Sequence, residues 1–400
     1  MAKPHIIAGL DIGTSNIKIL IAEKKKGDAG FKVLCQAQEP SFGIRRGVVI
    51  DIEKVSRLLQ LLFNKIKTEN NQKINSVYVN IGGSHIFCNS SESVVAVSRA
   101  DRKVSEEDVR RVLQSAETIS LSSNEEILEV IPKEYIIDGR GGIKEAEGMQ
   151  GGRLEAKVMI VGCFAPYKNN LTQAITNADI RILDIFPSPL AISNAVLTQK
   201  QKELGVAVLD IGAGTSELAV FEEGNLIHLA IFPIGSANIT NDIAILLKTD
   251  IDIAELIKIK SGSCLFKGAG KKEKIELEEG ETLTFSPKMV SGIIQARVSD
   301  IFGEVQKELK KIGKQGQLPA GIVLTGGGAN LPKIVELARK QLKLPCRIGK
   351  PMFFSDLDEG LSFAAACGLI LKGAEELGLG SNPIKSILDK IKKPFQVFIP

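Results

Sequence analysis

Two short phrases in this chain carry the residue types that grip phosphate, and they are near copies of each other. Asp11-Ile12-Gly13-Thr14-Ser15 stands near the start, and Asp210-Ile211-Gly212-Ala213-Gly214-Thr215-Ser216 opens the second half, 199 residues later. Each follows an apolar run (Ile6 to Leu10; Val206 to Leu209) and precedes a second strand-like run (Ile17 to Ile21; Glu217 to Phe221). Glycine removes the Cβ, so backbone N–H groups approach phosphate oxygens closely. Thr14, Ser15, Thr215 and Ser216 add hydroxyl donors. Asp11 and Asp210 would repel phosphate directly and suit a magnesium ion held through water, the usual habit of Mg²⁺. One Asp-Gly turn alone is ordinary hairpin chemistry. Two, at matching points of duplicated halves, would cradle one polyphosphate from both sides, which points to a two-lobed clamp on ATP.

A third Gly-rich turn, Leu324-Thr325-Gly326-Gly327-Gly328-Ala329, runs from an apolar strand toward a helix, where it can pass under a purine or meet a phosphate. No Lys-Ser/Thr follows it, so it is not a P-loop, and no turn completes the dinucleotide fingerprint. Glu255 and Lys258 lie one helical turn apart. They suit a grip on ribose and adenine, or equally an i,i+3 surface ion pair. Lys18 stands within reach of a terminal phosphate or is a solvated strand residue.

The elements that must position these turns are legible. Residues 6–22 and 31–38 read as a meander, Asp51 to Lys67 as a helix and Ile74 to Ile81 as a strand ending at Gly82-Gly83. Residues 84–163 read as an insertion with its own strand, helix and two strands. Ser105 is the helix N-cap there, and 139–152 a Gly-rich turn region. Asn169 to Ala178 reads as a helix, Ile180 to Phe186 as a strand, and Ser188-Pro189 as the start of a helix to about Gln199. Thr240 to Leu247 and Ile253 to Lys260 read as helices, and Lys267 to Leu283 as a charged hairpin. Val290, Ile293, Ile294, Val298, Ile301, Val305 and Leu309 stripe a long helix from Pro287 to Lys311. Leu331 to Leu342 and Ser362 to Leu371 are further helices.

Four hundred residues exceed one small core. A net charge of +4 spread over that length argues against a nucleic-acid partner. Six scattered Cys without a C-x-x-C pair read as buried free thiols in a reducing compartment, and three distant His argue against a His-based metal site or triad. No apolar run reaches spanning length and the start lacks a signal-peptide core, so a cytosolic body is expected.

Asp11-Gly13-Thr14, Asp210-Gly212-Gly214-Thr215 and Thr325-Gly326-Gly327-Gly328 resemble the phosphate-1, phosphate-2 and adenosine motifs of the actin/Hsp70/sugar-kinase superfamily. Ser188-Pro189-Leu190-Ala191 and Ser362 to Gly368 sit where its connecting helices belong. Val130-Ile131-Pro132-Lys133-Glu134-Tyr135-Ile136-Ile137-Asp138, Thr240-Asn241-Asp242-Ile243-Ala244 and Ala320-Gly321-Ile322-Val323-Leu324-Thr325-Gly326-Gly327 extend the likeness nearly end to end to the FtsA family of bacterial actin-like cell-division proteins. That resemblance implies an α/β fold of two lobes built from duplicated RNase H-like domains, with an inserted 1C subdomain in the first lobe. The expected division is 1–83 and 164–203 as subdomain 1A, 84–163 as 1C, 204–235 and 319–375 as 2A, and 236–318 as 2B. A linker would follow at 376–381 and a tail at 382–400. It further implies ATP and Mg²⁺, self-assembly into filaments, an FtsZ C-terminal peptide bound on 2B, further division proteins as partners, and a place at the cytoplasmic face of the membrane. Arg297 is the candidate peptide contact, or else a solvated helix-face arginine. Where ATP-hydrolysing relatives carry Glu or Gln, the matching residue is Ser188, a poor activator of water. The expectation is ATP binding with slow hydrolysis at best. A kinase of the same superfamily would need a general-base Asp that no recognisable motif supplies.

The tail is also legible by itself. Asn382 and Pro383 suit N-cap and N1. Ile384, Ile387, Leu388, Ile391 and Phe395 fall at offsets 0, 3, 4, 7 and 11, with Lys385, Lys390, Lys392 and Lys393 on the other side. Such a basic amphipathic helix suits an anionic membrane surface, each Lys giving about 1 kcal/mol; the alternative is a helix docked on the protein's own core. A pilus-assembly protein of the PilM type shares the fold but needs no such tail.

Overall fold

The computed structural model describes residues 4–70, 74–118, 121–268, 271–276, 282–355, 357–358 and 360–379. The tail reading at 382–400 lies outside them.

β1 (His5–Ile12), β2 (Asn16–Lys24) and β3 (Phe31–Pro40) form the expected antiparallel meander. A short hairpin, β4 (Ile44–Arg45) and β5 (Val48–Val49), leads into α1 (Ile52–Asn70), whose Val55, Leu59, Leu62 and Ile66 are buried at helical spacing. β6 (Ser76–Ile81) returns parallel to β1.

The insertion then builds a body of its own from β7 (Phe87–Ala96), α2 (Glu106–Glu117), β8 (Glu125–Ile137), β9 (Arg140–Ile143) and β10 (Arg153–Phe164). Its sheet runs β7-β10-β8-β9, and Val112 and Leu113 of α2 close a core with Tyr135, Leu154, Val158 and Ile160. Ser105 caps α2 in a capping box with Asp108. The turn region 139–152 holds more order than its glycines suggest: Gly139 at φ 79° makes the tight reversal that lets β9 pair with β8.

α3 (Ala165–Thr176), β11 (Arg181–Pro187) and α4 (Ser188–Val196) follow. The helix from Ser188 stops short of Gln199, because Leu197 is extended and Thr198 caps a separate α5 (Gln199–Leu204) through a capping box with Gln201. The second lobe repeats the first as a meander of β12 (Val206–Ile211), β13 (Ser216–Glu222) and β14 (Asn225–Phe232). Next come α6 (Ser236–Leu247), α7 (Ile251–Ser261), a hairpin of β15 (Glu273–Glu276) with β16 (Thr282–Phe285), and α8 (Pro287–Lys311). The predicted stripe of α8 faces the core, with six of its seven residues buried and Ile293 partly so. β17 (Ile322–Thr325) and β18 (Cys346–Ile348) complete the sheet on either side of α9 (Ile334–Leu342), which begins after Pro332 rather than at Leu331.

The chain then returns. β19 (Phe354–Ser355) pairs with β3, and α10 (Ala364–Glu376) packs on β1, β2 and β6. This corrects the division by chain order, which placed all of 319–375 in the second lobe and ended the body at 375. Ala364, Leu369 and Ile370 share a core with Ile7 and Leu10 instead. α4 and α10 cross against each other, and α4 also touches β12 and β13, so these two helices join the lobes. All six cysteines are free, and all but the half-buried Cys88 are buried.

Candidate functional site

Each meander ends its first strand in an Asp-Gly turn, and the fold sets the two turns face to face. A Cβ on Gly214 would stand 2.7 Å from the Thr14 methyl, so glycine is what lets the lobes meet there. Between the lobes opens a cleft of about 1020 Å³. Asp11, Gly13, Thr14, Ser15 and Lys18 line it from the first lobe, Asp210, Gly212, Thr215, Glu255, Lys258, Gly326, Gly327 and Gly328 from the second. Two predicted contributors do not line it. Gly214 is spent on the approach to Thr14, and Ser216 is fully buried with its hydroxyl donated to the Ile234 carbonyl.

The turn after Asp11 is held by neighbours that sequence reading did not single out. Asn80 of β6 accepts from the Ile12 N–H (2.7 Å) and donates to Asp11 Oδ1 (2.7 Å) and to Ser188 Oγ (3.0 Å). Ser188 donates onward to the Ile81 carbonyl (3.0 Å). Thr14 Oγ1 accepts from the Gly47 N–H (2.9 Å), and Ser41 donates to the Gly13 carbonyl (2.7 Å). Lys18 is not a solvated strand residue: it donates to the Ser362 carbonyl (2.7 Å) and lies 3.8 Å from Asp11 Oδ2.

On the second lobe, Glu255 and Lys258 form the i,i+3 ion pair, with the lysine buried and the glutamate side chain exposed at the cleft. Lys258 is 7% exposed, 2.6 Å from Glu255 Oε2, and donates to Thr240 Oγ1 (2.9 Å) and the Ser236 carbonyl (3.3 Å). Arg297 lies on α8 and does not line the cleft. It bridges α6 and α8 through Asp242 (2.7 Å) and Asp300 (3.2 Å) and is partly exposed rather than freely solvated.

The main residue missed is Glu217. It pairs in register with Asp210 across the turn, and its Oε2 is buried with no hydrogen-bond partner among the described residues. A lone acid in the buried strand Ser-Glu-Leu-Ala-Val-Phe was the available signal, since an unpaired buried charge is costly without a use. Burial raises the carboxyl of Asp11 against the pull of Lys18. Burial, then repulsion from Asp11, pushes Asp210 up to about 7. Burial, with Asp210 and Asp11 adding to it, lifts Glu217 well above the carboxylate range. Three acids short of countercharge suit a divalent cation. Among the described residues no three His, Cys, Asp or Glu are grouped to hold one directly, so the fit is to an ion held through water.

The sign for stability follows from proton binding. With Asp210 at about 7 in the fold against about 3.9 unfolded, the native state keeps a proton that the unfolded chain has released. Stability is therefore full below about pH 4 and is lost as pH rises toward 7. Asp210→Asn removes this term. Without nucleotide or metal, the variant should exceed the parent by about 1–3 kcal/mol near pH 7.5 and match it near pH 4. Thermal melts at both values check this; a variant no better at the higher pH would refute it.

The comparisons agree with this architecture. Residues 207–368 match the family model for the cell division protein FtsA, and residues 83–162 match the model for the SHS2 domain inserted in FtsA. The chain is 34% identical over 383 residues to the cell division protein FtsA of Pseudomonas aeruginosa, covering 94% of this chain and 91% of that protein. It is 33% identical to that of Bacillus subtilis, over 92% of this chain and 84% of that protein. Among solved structures, the PilM-PilN type IV pilus biogenesis complex aligns with a TM-score of 0.64 at 16% identity, covering 92% of this chain and 98% of that one. MreB5 of Spiroplasma citri bound to ADP aligns at 0.57 and 15% identity, covering 96% and 98%. These structural likenesses establish the two-lobed actin-like fold, and the inserted SHS2 domain occupies the place of the 1C subdomain. With sequence identity of this extent to named relatives, the chain belongs to the FtsA family of actin-like cell division proteins.

Proposed function

We propose that this chain binds ATP with Mg²⁺ between its lobes, polymerises, sits at the cytoplasmic face of the membrane at the division site, and anchors FtsZ there. The observation that carries the nucleotide part is the pair of Asp-Gly turns meeting at Thr14 and Gly214 over the cleft. The ADP-bound MreB5 neighbour has the same fold and adds support. Backbone N–H groups of Gly13, Thr14, Gly212 and Thr215 would take the phosphates. Glu255 and Lys258 would hold the ribose and adenine beside Gly326, Gly327 and Gly328. Asp11, Asp210 and Glu217 would hold the ion through water; when bound, it supplies the positive charge that their burial and the phosphates both call for.

Hydrolysis is slow in this reading. Ser188 has its proton committed to the Ile81 carbonyl and no carboxylate to orient water; the acids beside it are Glu217, across Gly82, and Asp11, through Asn80. Turnover at saturating ATP and Mg²⁺ should stay below about one per minute, as expected for a site lacking a placed base at that position.

Filament formation draws on the family and on the MamK double helical filament, which shares the fold. The FtsZ peptide would dock on 2B, with Arg297 at its rim once the peptide carboxylates compete for it. The membrane contact falls to residues 382–400. Co-sedimentation with liposomes in the presence of ATP tests it. Full-length protein should pellet with anionic lipid and not with neutral lipid, while a chain ending at Ser381 stays soluble on both. If both forms behave alike, the tail is not the anchor. PilM also shares the fold, but the sequence identities are to FtsA proteins.

A further inference from the structure

The insertion leaves the first lobe between β6 and α3, yet it does not rest on that lobe alone. β7 and β8 pack against β14, the edge strand of the second sheet. Cys88, Leu128 and Ile131 cover the same core cluster that holds Leu226, Leu229 and Ile231 of β14. An edge strand presents backbone groups that need a partner. At Leu229 both are met by one side chain: the Leu229 N–H donates to Cys88 Sγ (3.3 Å), and the Cys88 thiol donates to the Leu229 carbonyl (3.3 Å). At the far end of the seam, Lys144 donates to the Glu223 carbonyl in the β13–β14 turn. There Glu223 and Gly224 both take positive φ, at 52° and 78°.

These contacts cross between the lobes, beside those made by α4, α10 and the two Gly-rich turns. The geometry points to a clasp: the insertion ties the first lobe to the β14 edge of the second and resists opening of the cleft. The tie is weak enough to break, because a thiol is a poor donor and a poor acceptor. It is also made or broken rather than graded. The next outward-facing N–H and C=O pair on β14 lies two residues on, about 6.7 Å away, so a small slide leaves the thiol with no partner. Release of the clasp would therefore accompany lobe opening and free the insertion to swing.

The test compares two full-length proteins. Cys88→Ser keeps a group that can both donate to and accept from Leu229. Cys88→Ala with Lys144→Ala removes both polar ties. In each, spin labels at Ser115→Cys on α2 and Lys340→Cys on α9 report the distance from insertion to second lobe, the other native thiols being buried. The serine form should show one narrow distance and the double variant a second, longer population, with both forms melting cooperatively. The second readout, which rests on the ATP reading above, is the release rate of a fluorescent ATP analogue. It should rise about fivefold to tenfold in the double variant, the scale of one or two lost hydrogen bonds. The same distance distribution in both folded forms would overturn the clasp. A shifted distribution with no analogue bound to either form would keep the clasp and remove the ATP reading instead.

Discussion

Gly326→Ala should reduce ATP affinity at least about 100-fold while leaving a folded protein, through strain and collision together. Gly326 ends β17 with φ 83° and ψ 169°, a backbone region that is essentially restricted to glycine and costs other residues about 1–3 kcal/mol. An added Cβ would also lie 2.5 Å from Asp210 Oδ1 and 2.8 Å from the Ile211 carbonyl. Neither group can retreat cheaply. The carbonyl belongs to the end of β12, and the carboxylate shares a buried site with Asp11 and Glu217. The methyl would push Asp210 into the cleft or move the Gly-rich turn off the purine path. Gly327→Ala is the control, because a Cβ there meets nothing within 4 Å. It should melt with the parent, and any affinity it loses would measure how closely a bound nucleotide passes that position. Calorimetric titration of both variants with MgATP checks this. Parental affinity in Gly326→Ala would show that the third turn is not part of the nucleotide site.

The site was legible in the sequence where its chemistry demands an unusual local pattern. Asp, Ile and then Gly at the end of an apolar run, twice, is such a pattern, and so is three glycines after Leu324-Thr325. Glu217 and Asn80 were not legible in that way. Each is a single polar residue in a strand, and its role depends on what the fold brings opposite it: Asp210 in register with Glu217, Asp11 and Ser188 around Asn80. The fold shows the same limit. Helix and strand positions follow from periodicity, which is local. The lobe that 350–375 joins depends on β19 reaching β3 and on α10 covering β1, contacts made over more than 300 residues of sequence separation. The stop at Val196 was misread for a different reason, since Thr198 and Gln201 form a capping box that outweighs the continuing helical pattern.

The second large effect is expected at Gly368, where the two connecting helices touch backbone to backbone. A Cβ there would lie 1.8 Å from the Ala191 carbonyl and 2.8 Å from Ala191 Cα, in the middle of α4. Two residues earlier, and so on the opposite side of the helix, α10 brings the Ala366 carbonyl against Gly9 of β1, where a Cβ would stand 2.5 Å away. Small residues at Ala364, Ala365, Ala366 and Cys367 are therefore what allow α10 to lie in close contact with both α4 and the first sheet. Gly368→Val should destabilise the protein by about 4 kcal/mol or more, above the usual overpacking cost, because the obstructing atoms are backbone and cannot change rotamer. Helix propensity alone predicts the reverse, since glycine costs about 1 kcal/mol relative to alanine within a helix. Gly292→Ala on α8 separates the two effects: a Cβ there meets nothing within 4 Å, so propensity acts unopposed. That variant should gain about 0.5–1 kcal/mol. Opposite signs for two mid-helix glycines, read by denaturant unfolding, would place the cost of Gly368→Val in the helix crossing. If Gly368→Val instead unfolds with the parent, α4 and α10 have room to separate, and the close crossing is not what joins the lobes.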